Sequence, residues 1–408
     1  MSLLAMFDDI RDVGRNPGTG GYRRFVWDDA DQTLREWFAG EAARRGLDLQ
    51  VDRNGNQWAW WGDPAAGDAL VLGSHLDSVP EGGAYDGPLG VLSAFAALDA
   101  VRDQGLRPTR PVAVTNFVDE EGARFGIACA GSRLLTGSLD PDTARSLRDR
   151  DGQTMAEVLR AAGRDPETLG RDEDVLRCIG TFVELHVEQG RDLVHRGRAV
   201  GVGSQIWPHG RYRFDFTGEA NHAGTTVMGD RRDPMLTYAA TALAAHLTAA
   251  GEDGVGTDLR ATFGRVEVTP NGTNAVPSQV RAWLDARAAD EHALEALVDE
   301  VRRCAEEAAA RDRTGVQMSA ESVSPATGFT PDLVDRLAAR LGGAPVVPTG
   351  AGHDAGVLAL AGVPTAMLFV RNPTGVSHSP AEHAEADDCL AGVDALTACV
   401  LDLAGEPA

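Results

Sequence analysis

The sequence predicts an α/β protein, a mixed sheet flanked by helices, interrupted by a smaller α+β domain of ferredoxin-like order. Three observations carry this. Strand-like and helix-like patterns alternate through residue 205, the pattern changes to β-α-β-β-α-β between 206 and 325, and alternation resumes from 326. The expected domains are a discontinuous one, 1–205 with 326–408, and an insert, 206–325.

Residues 30–45 have helical spacing, with Leu34, Trp37, Phe38 and Ala42 on one face. Strand-like stretches follow at 57–61 and 69–73, then a helix over about 89–101 and an apolar strand over 111–118. Residues 181–186 read as one more buried strand. Within the insert, Tyr212, Phe214 and Phe216 alternate with Arg213, Asp215 and Thr217, the pattern of a half-exposed strand. Asp233-Pro234 supplies an N-cap and a first-turn proline for a helix running to about Gly251. Strands at 259–268 and 279–287 flank the turn-rich TPNGTNAVPS. Asp290 then caps a second helix that turns Leu294, Leu297, Val298, Val301 and Ala305 inward. Val316, Met318 and Ala320 alternate in the last strand of the insert, and a strand at 364–370 with a helix from about Asp387 completes the first domain.

Composition narrows the function classes. With 43% hydrophobic and 24% charged residues the chain has the make-up of an ordinary soluble protein. A formal net charge of −23 argues against nucleic acid and anionic membrane as partners, so an anionic substrate needs a locally positive pocket. The five cysteines, Cys129, Cys178, Cys304, Cys389 and Cys399, are scattered and include no CxxC pair. That argues against a disulfide framework and against a cysteine zinc site. The opening MSLLAMFDDIRD turns acidic without a basic start, and no apolar run reaches transmembrane length, so a cytoplasmic location is expected.

Four segments outside the insert end in side chains of metal-ligand type. Residues 73–90, GSHLDSVPEGGAYDGPLG, follow an apolar strand and carry His75, Asp77 and Asp86. On a strand His75 and Asp77 share one face, which suits a metal-binding histidine whose other ring nitrogen is fixed by a carboxylate. Residues 116–122, NFVDEEG, place three acids where another strand stops. ELHVEQG at 184–190 sets a histidine between acids, and GVSHSP at 375–380 follows the strand-like MLFV. Each segment alone has a plain structural reading, as a hydrogen-bonded strand-end histidine or as solvated loop acids. Loops beyond strand ends in α/β folds converge on one crevice, however, and four such loops share an explanation in divalent metal. Mixed nitrogen and oxygen donors favour zinc, with manganese, cobalt or nickel as alternatives. A bridging carboxylate lets two ions sit about 3.5–4 Å apart.

With GSHLDSVPEGGAYDGPLGV, DEEGARF, ELHVEQG, GEANHAGTTVM, PNGTNAVPS, GAGHDA and GVSHSPAE together, the chain resembles the M20-type dinuclear metallohydrolases. The nearest branch holds the N-carbamoyl-L-amino-acid hydrolases, β-ureidopropionases and allantoate amidohydrolases; its mark is the histidine of ELHVEQG, where the peptidases carry an acid. The resemblance implies two divalent ions, with His75 and His186 on one, Glu121 and His378 on the other, and Asp86 as the bridge. Asp77 stands behind His75, and Glu120 is the general base.

The insert is implied to be a lid and dimerisation domain of a homodimer, in which His222 reaches the partner's site to stabilise an oxyanion. Arg287 suits a substrate carboxylate, with a surface ion pair as the alternative; Asn274, Gln189 and His353 match further substrate-pocket positions. The strand at about 211–217 is expected to be a sheet edge that pairs across the two-fold axis. The implied reaction is hydrolysis of the ureido C–N bond of an N-carbamoyl-L-amino acid or of allantoate, releasing ammonia and carbon dioxide. An aminoacylase or dipeptidase on the same scaffold is the nearer rival. A non-catalytic binding protein would have lost a ligand or the base, and every expected position is filled.

Overall fold

The computed structural model describes residues 2–251 and 258–405. The chain divides into two compact units, residues 1–205 with 328–408, and residues 206–327. In the first unit a mixed sheet runs in the order Asp48–Val51, Gln57–Trp61, Val112–Phe117, Ala69–His75, Ile179–Val187, Thr365–Val370, Val200–Ile206 and Thr327–Gly328. Val346–Thr349 joins Val200–Ile206 outside this path. The four middle strands, from Val112–Phe117 to Thr365–Val370, are parallel, and antiparallel pairing begins on both sides of them.

Parallel strands are covered on both faces, so their sequences are continuous apolar runs without alternation. Every residue of Ala69–His75, Val112–Phe117 and Thr365–Val370 is buried. The helix Pro88–Asp103 begins with its proline at the first turn and packs on strand Ala69–His75 and on helix Ala386–Ala404. Gly90 permits the approach to the sheet: a Cβ there would lie 2.7 Å from Ser74 Cβ and 2.2 Å from the Leu185 carbonyl oxygen of the neighbouring strand Ile179–Val187. The expected helix at 30–45 is Asp29–Arg44, with the Asp28 carboxylate accepting from the Asp31 N–H.

The second unit has an antiparallel sheet in the order Gly315–Ser324, His209–Thr217, Gln279–Ala288 and Leu259–Thr269. Helices Pro234–Ala250 and Glu291–Asp312 follow the first and third strands of the chain order β-α-β-β-α-β. Their core is Phe214, Phe216, Val280, Leu284, Leu297 and Val301. One expectation is corrected here. His209–Thr217 is an inner strand, and the edges are Leu259–Thr269 and Gly315–Ser324. Alternation reports one covered face, and an inner strand of a one-sided sheet alternates as an edge does. Helix Pro234–Ala250 leaves Leu236, Leu243 and Leu247 exposed at 51%, 59% and 58%. No helix among the described residues is long and apolar enough to cross a membrane.

Candidate metal centre and active site

The parallel strands end together, and their last residues and following loops carry the chemistry. His75 is the final residue of Ala69–His75, and His186 is the penultimate residue of Ile179–Val187. Asp86 precedes helix Pro88–Asp103; Glu120 and Glu121 follow Val112–Phe117; and His378 lies in the loop after Thr365–Val370, in the left-handed conformation at φ 55. Backbone held in this region is over-represented at functional sites.

Asp86 stands between two pairs of ligand-type groups and offers each a different oxygen. Its Oδ1 lies 3.1 Å from His186 Nε2 and 3.7 Å from His75 Nε2. Its Oδ2 lies 3.4 Å from His378 Nε2, which is 3.6 Å from Glu121 Oε2. Two three-residue groups result, His75–Asp86–His186 and Asp86–Glu121–His378, each with donor atoms within 4.8 Å of one another. The donor set fits a pair of divalent cations. His75 Nε2, His186 Nε2 and Glu121 Oε1 are buried without a hydrogen-bond partner, which a bound cation would supply. His186 Nδ1 lies 2.9 Å from the Val187 carbonyl oxygen and His75 Nδ1 lies 3.2 Å from that of Asp77. A proton on each Nδ1 leaves the Nε2 lone pair facing Asp86.

Asp77 has a larger role than a partner for His75. Its Oδ1 lies 3.4 Å from His75 Nδ1, and its two oxygens also accept from the backbone N–H groups of Glu120 and Glu121, at 3.1 and 3.0 Å. One carboxylate thereby orients a histidine and both acids. The Glu120 Oε2 lies 3.7 Å from His75 Nε2, and its Oε1 accepts from the Cys129 thiol at 3.3 Å. Burial, reinforced by the charges of Asp354 and Glu121, pushes the Glu120 carboxyl well above its ordinary range, although His75 opposes this. Burial also works to raise Asp86, but His186 and His75 outweigh it and hold that carboxyl well below its usual value.

Gln189 and His353 face the centre itself more than an open pocket. Gln189 Nε2 donates to Asp86 Oδ2 at 2.9 Å and to Ser377 Oγ at 3.2 Å. His353 is fully buried, its ring centroid 4.6 Å from that of His186, and burial beside His186 keeps it neutral by lowering its pKa well below the usual value. Glu184, His186 and His353 form a third group of neighbouring donors, but Glu184 already accepts from Ser74 Oγ and the Ala355 N–H. A cavity of about 410 Å³ elsewhere in this unit, lined by Phe25, Trp27, Arg124 and Asp149 among others, holds no histidine. The donor chemistry, and not cavity size, selects the site.

In the second unit, His222 and Asn274 are neighbours: His222 pairs with Ala275, and the Ala223 N–H donates to the Asn274 carbonyl at 2.9 Å. His222 is exposed, and its Nδ1 accepts from the N–H groups of Gly224 and Thr225 at 3.0 and 3.2 Å, which leaves the proton on Nε2. Arg287 makes a two-pronged pair with Asp285, at 2.7 and 3.1 Å. The ion pair weighed against a substrate role is therefore present. Sequence reasoning missed Cys129, Ser377 and Glu382. Glu382 carries the clearest unused signal, an acid four residues after His378 in GVSHSPAE.

Comparison with known proteins agrees with this chemistry. The chain is 34% identical to an N-carbamoyl-L-amino acid amidohydrolase of Geobacillus stearothermophilus, over 97% of this chain and 96% of that protein. It is 33% identical to an allantoate amidohydrolase of Escherichia coli strain K12, again over 97% and 96%. The crystal structure of a hydantoinase/carbamoylase family amidase from Burkholderia ambifaria superposes with a TM-score of 0.84 at 32% identity, covering 99% of this chain and 97% of that one. Residues 71–402 match the family described as peptidase family M20/M25/M40, and with relatives this similar along nearly its whole length the chain belongs to that family.

Proposed function

We propose that the protein hydrolyses the ureido C–N bond of an N-carbamoyl-L-amino acid or of allantoate. The single observation that carries the reading is Asp86, whose two oxygens face two separate pairs of metal-type ligands. The family match and the unpartnered imidazole nitrogens support the use of divalent metal, and the mixed nitrogen and oxygen donors favour zinc. When bound, such a pair of ions supplies an acidified water and a polarised carbonyl.

The chain's own groups do the rest. Glu120, buried and raised in pKa, takes a proton from the attacking water and returns it to the leaving nitrogen. His222, with its proton on Nε2, is assigned the donor to the oxyanion, and Asn274 and Arg287 the contacts to the substrate carboxylate. One water is consumed: the bond between the carbamoyl carbon and the substrate nitrogen breaks, the carbamoyl group leaves as carbamate, which falls apart into ammonia and carbon dioxide, and the nitrogen it left becomes a free amine. For allantoate that product is a ureidoglycine-type compound.

The reading includes a homodimer. It is supported by the exposed Leu236, Leu243 and Leu247 of the helix Pro234–Ala250, which form an apolar row on the surface of the second unit. The test is an assay panel of allantoate, N-carbamoyl-L-amino acids, β-ureidopropionate and N-acetyl amino acids, with added zinc or manganese. Turnover of ureido substrates with release of ammonia is expected; turnover of only the N-acetyl compounds would favour an aminoacylase and overturn the reading.

A further inference from the structure

Glu382 belongs to neither ligand group, yet it is 6% exposed and its side chain is spent on the segment that ends in the bridging aspartate. Its Oε1 accepts from two successive backbone N–H groups, those of Tyr85 at 2.8 Å and Asp86 at 2.9 Å. Its Oε2 lies 3.5 Å from Ser377 Oγ, which donates to Asp86 Oδ2 at 3.0 Å. The Glu382 N–H closes the turn by donating to the Ser379 carbonyl at 3.0 Å. Space around the clamp is tight: a Cβ at Gly83 would lie 2.5 Å from the Glu382 side chain. Ser377 and Ser379 flank His378, so the contacts of Glu382 surround one metal-type ligand and grip the backbone of another.

A side-chain oxygen taking two consecutive N–H groups fixes the plane of the peptide as well as its position, because hydrogen bonds at 2.8 and 2.9 Å are directional. Asp86 and His378 come from distant parts of the chain, and sequence neighbours cannot set the distance between them. We propose that Glu382 is a positioning residue that joins the His378 loop to the Asp86 segment and thereby sets the affinity of the metal position formed by Asp86, Glu121 and His378. The position formed by His75, Asp86 and His186 depends on it less, because both histidines are anchored to strands. This rests on the metal centre described above.

The experiment is zinc binding to the purified, metal-stripped full chain, titrated against a chromophoric chelator, with melting curves recorded in parallel. Wild type should bind two ions. Glu382→Ala should weaken the second by about 10- to 100-fold and the first by much less, as outer partners of metal ligands do when removed. Glu382→Gln keeps an oxygen that accepts both N–H groups and should restore most of the affinity. Should the alanine variant fail to fold, Glu382→Asp, one methylene shorter, should show the same selective loss. Equal weakening of both ions, or two ions bound as in wild type by the alanine or aspartate variant, overturns the inference. A wild-type chain that binds no zinc overturns the metal centre itself, which is a distinguishable failure.

Discussion

Replacing Gly87 by alanine puts a methyl group into the imidazole of His75. Gly87 has φ 82 and ψ −60, and a Cβ built there lies 2.4 Å from Cε1, 2.5 Å from Nδ1 and 2.7 Å from Nε2 of His75. Ordinary contacts between carbon atoms are about 3.5–4.0 Å, so ring and helix start must separate by about 1 Å. His75 is fully buried and held through Nδ1, so it has nowhere to swing. An L residue at such a positive φ loses about 1–2 kcal/mol, and overpacking a filled site loses about 1–3 more, a sum of about 2–5 kcal/mol. The strain falls on two ligands at once, because Gly87 touches His75 and follows Asp86. We predict a zinc affinity about 10- to 100-fold weaker, together with a lower melting temperature. Chelator competition and thermal melts measure both. Gly40→Ala is the control: Gly40 lies inside helix Asp29–Arg44 with nothing within 4 Å of a built Cβ, so alanine should stabilise by about 0.5–1 kcal/mol. A Gly87→Ala protein that melts with wild type and binds zinc within about twofold of it refutes the packing argument.

Glu120→Gln keeps the shape of the base but removes its proton chemistry; turnover should fall about 100-fold or more with metal content nearly intact, and near-normal activity would remove Glu120 from the role. Arg287→Lys keeps the charge and loses the fork, so KM for carboxylate substrates should rise clearly; an unchanged KM would remove the substrate role and leave the structural pair with Asp285. Mixing inactive His222→Ala chains with inactive Glu120→Gln chains should restore part of the activity if the site is shared in a dimer, and no recovery despite proven exchange would defeat that arrangement. Metal uptake should release protons and weaken as pH falls from about 8 to about 6. Burial alone would lower His75 and His186, but neighbouring carboxylates raise both above their ordinary value, while burial and Asp86 push Glu121 up to about 8. Each must lose its proton to bind, so acid competes with metal; an affinity independent of pH in that window would contradict the ligand set.

What the sequence showed best was where strands end. Ala69–His75, Val112–Phe117, Ile179–Val187 and Thr365–Val370 are apolar runs long enough to recognise; the first three stop at or just before a histidine or an acid, and the loop after the fourth carries His378. That much of the centre follows from burial and the parallel-sheet rule. Neighbour relations were less legible. Tyr212, Phe214 and Phe216 show that one face of their strand is covered, but alternation is silent on what lies beside the strand, and the expected edge is an inner strand. Bonds to backbone N–H groups leave no pattern in side-chain types, which hid the hold of Asp77 on Glu120 and Glu121 and that of Glu382 on Tyr85 and Asp86. The short helices Ala130–Thr136, Pro141–Ser146, Met155–Ala161 and Glu173–Leu176 lack the turns to display a periodic face, although Thr154 and Glu157 form a capping box.

The strand Thr365–Val370 lies between Ile179–Val187 and Val200–Ile206, strands made long before it during synthesis. Until it arrives, Ile179–Val187 has one side without its final neighbour, and His378 follows only eight residues after the strand's last residue. A chain stalled or cut before residue 365 therefore carries His75, Asp86, Glu121 and His186 but cannot close the centre around them. It also presents an open parallel edge, which invites aggregation and proteolysis. Under the metal centre proposed above, full loading would require a finished chain, and a pool holding both complete and interrupted chains would sort itself by metal content.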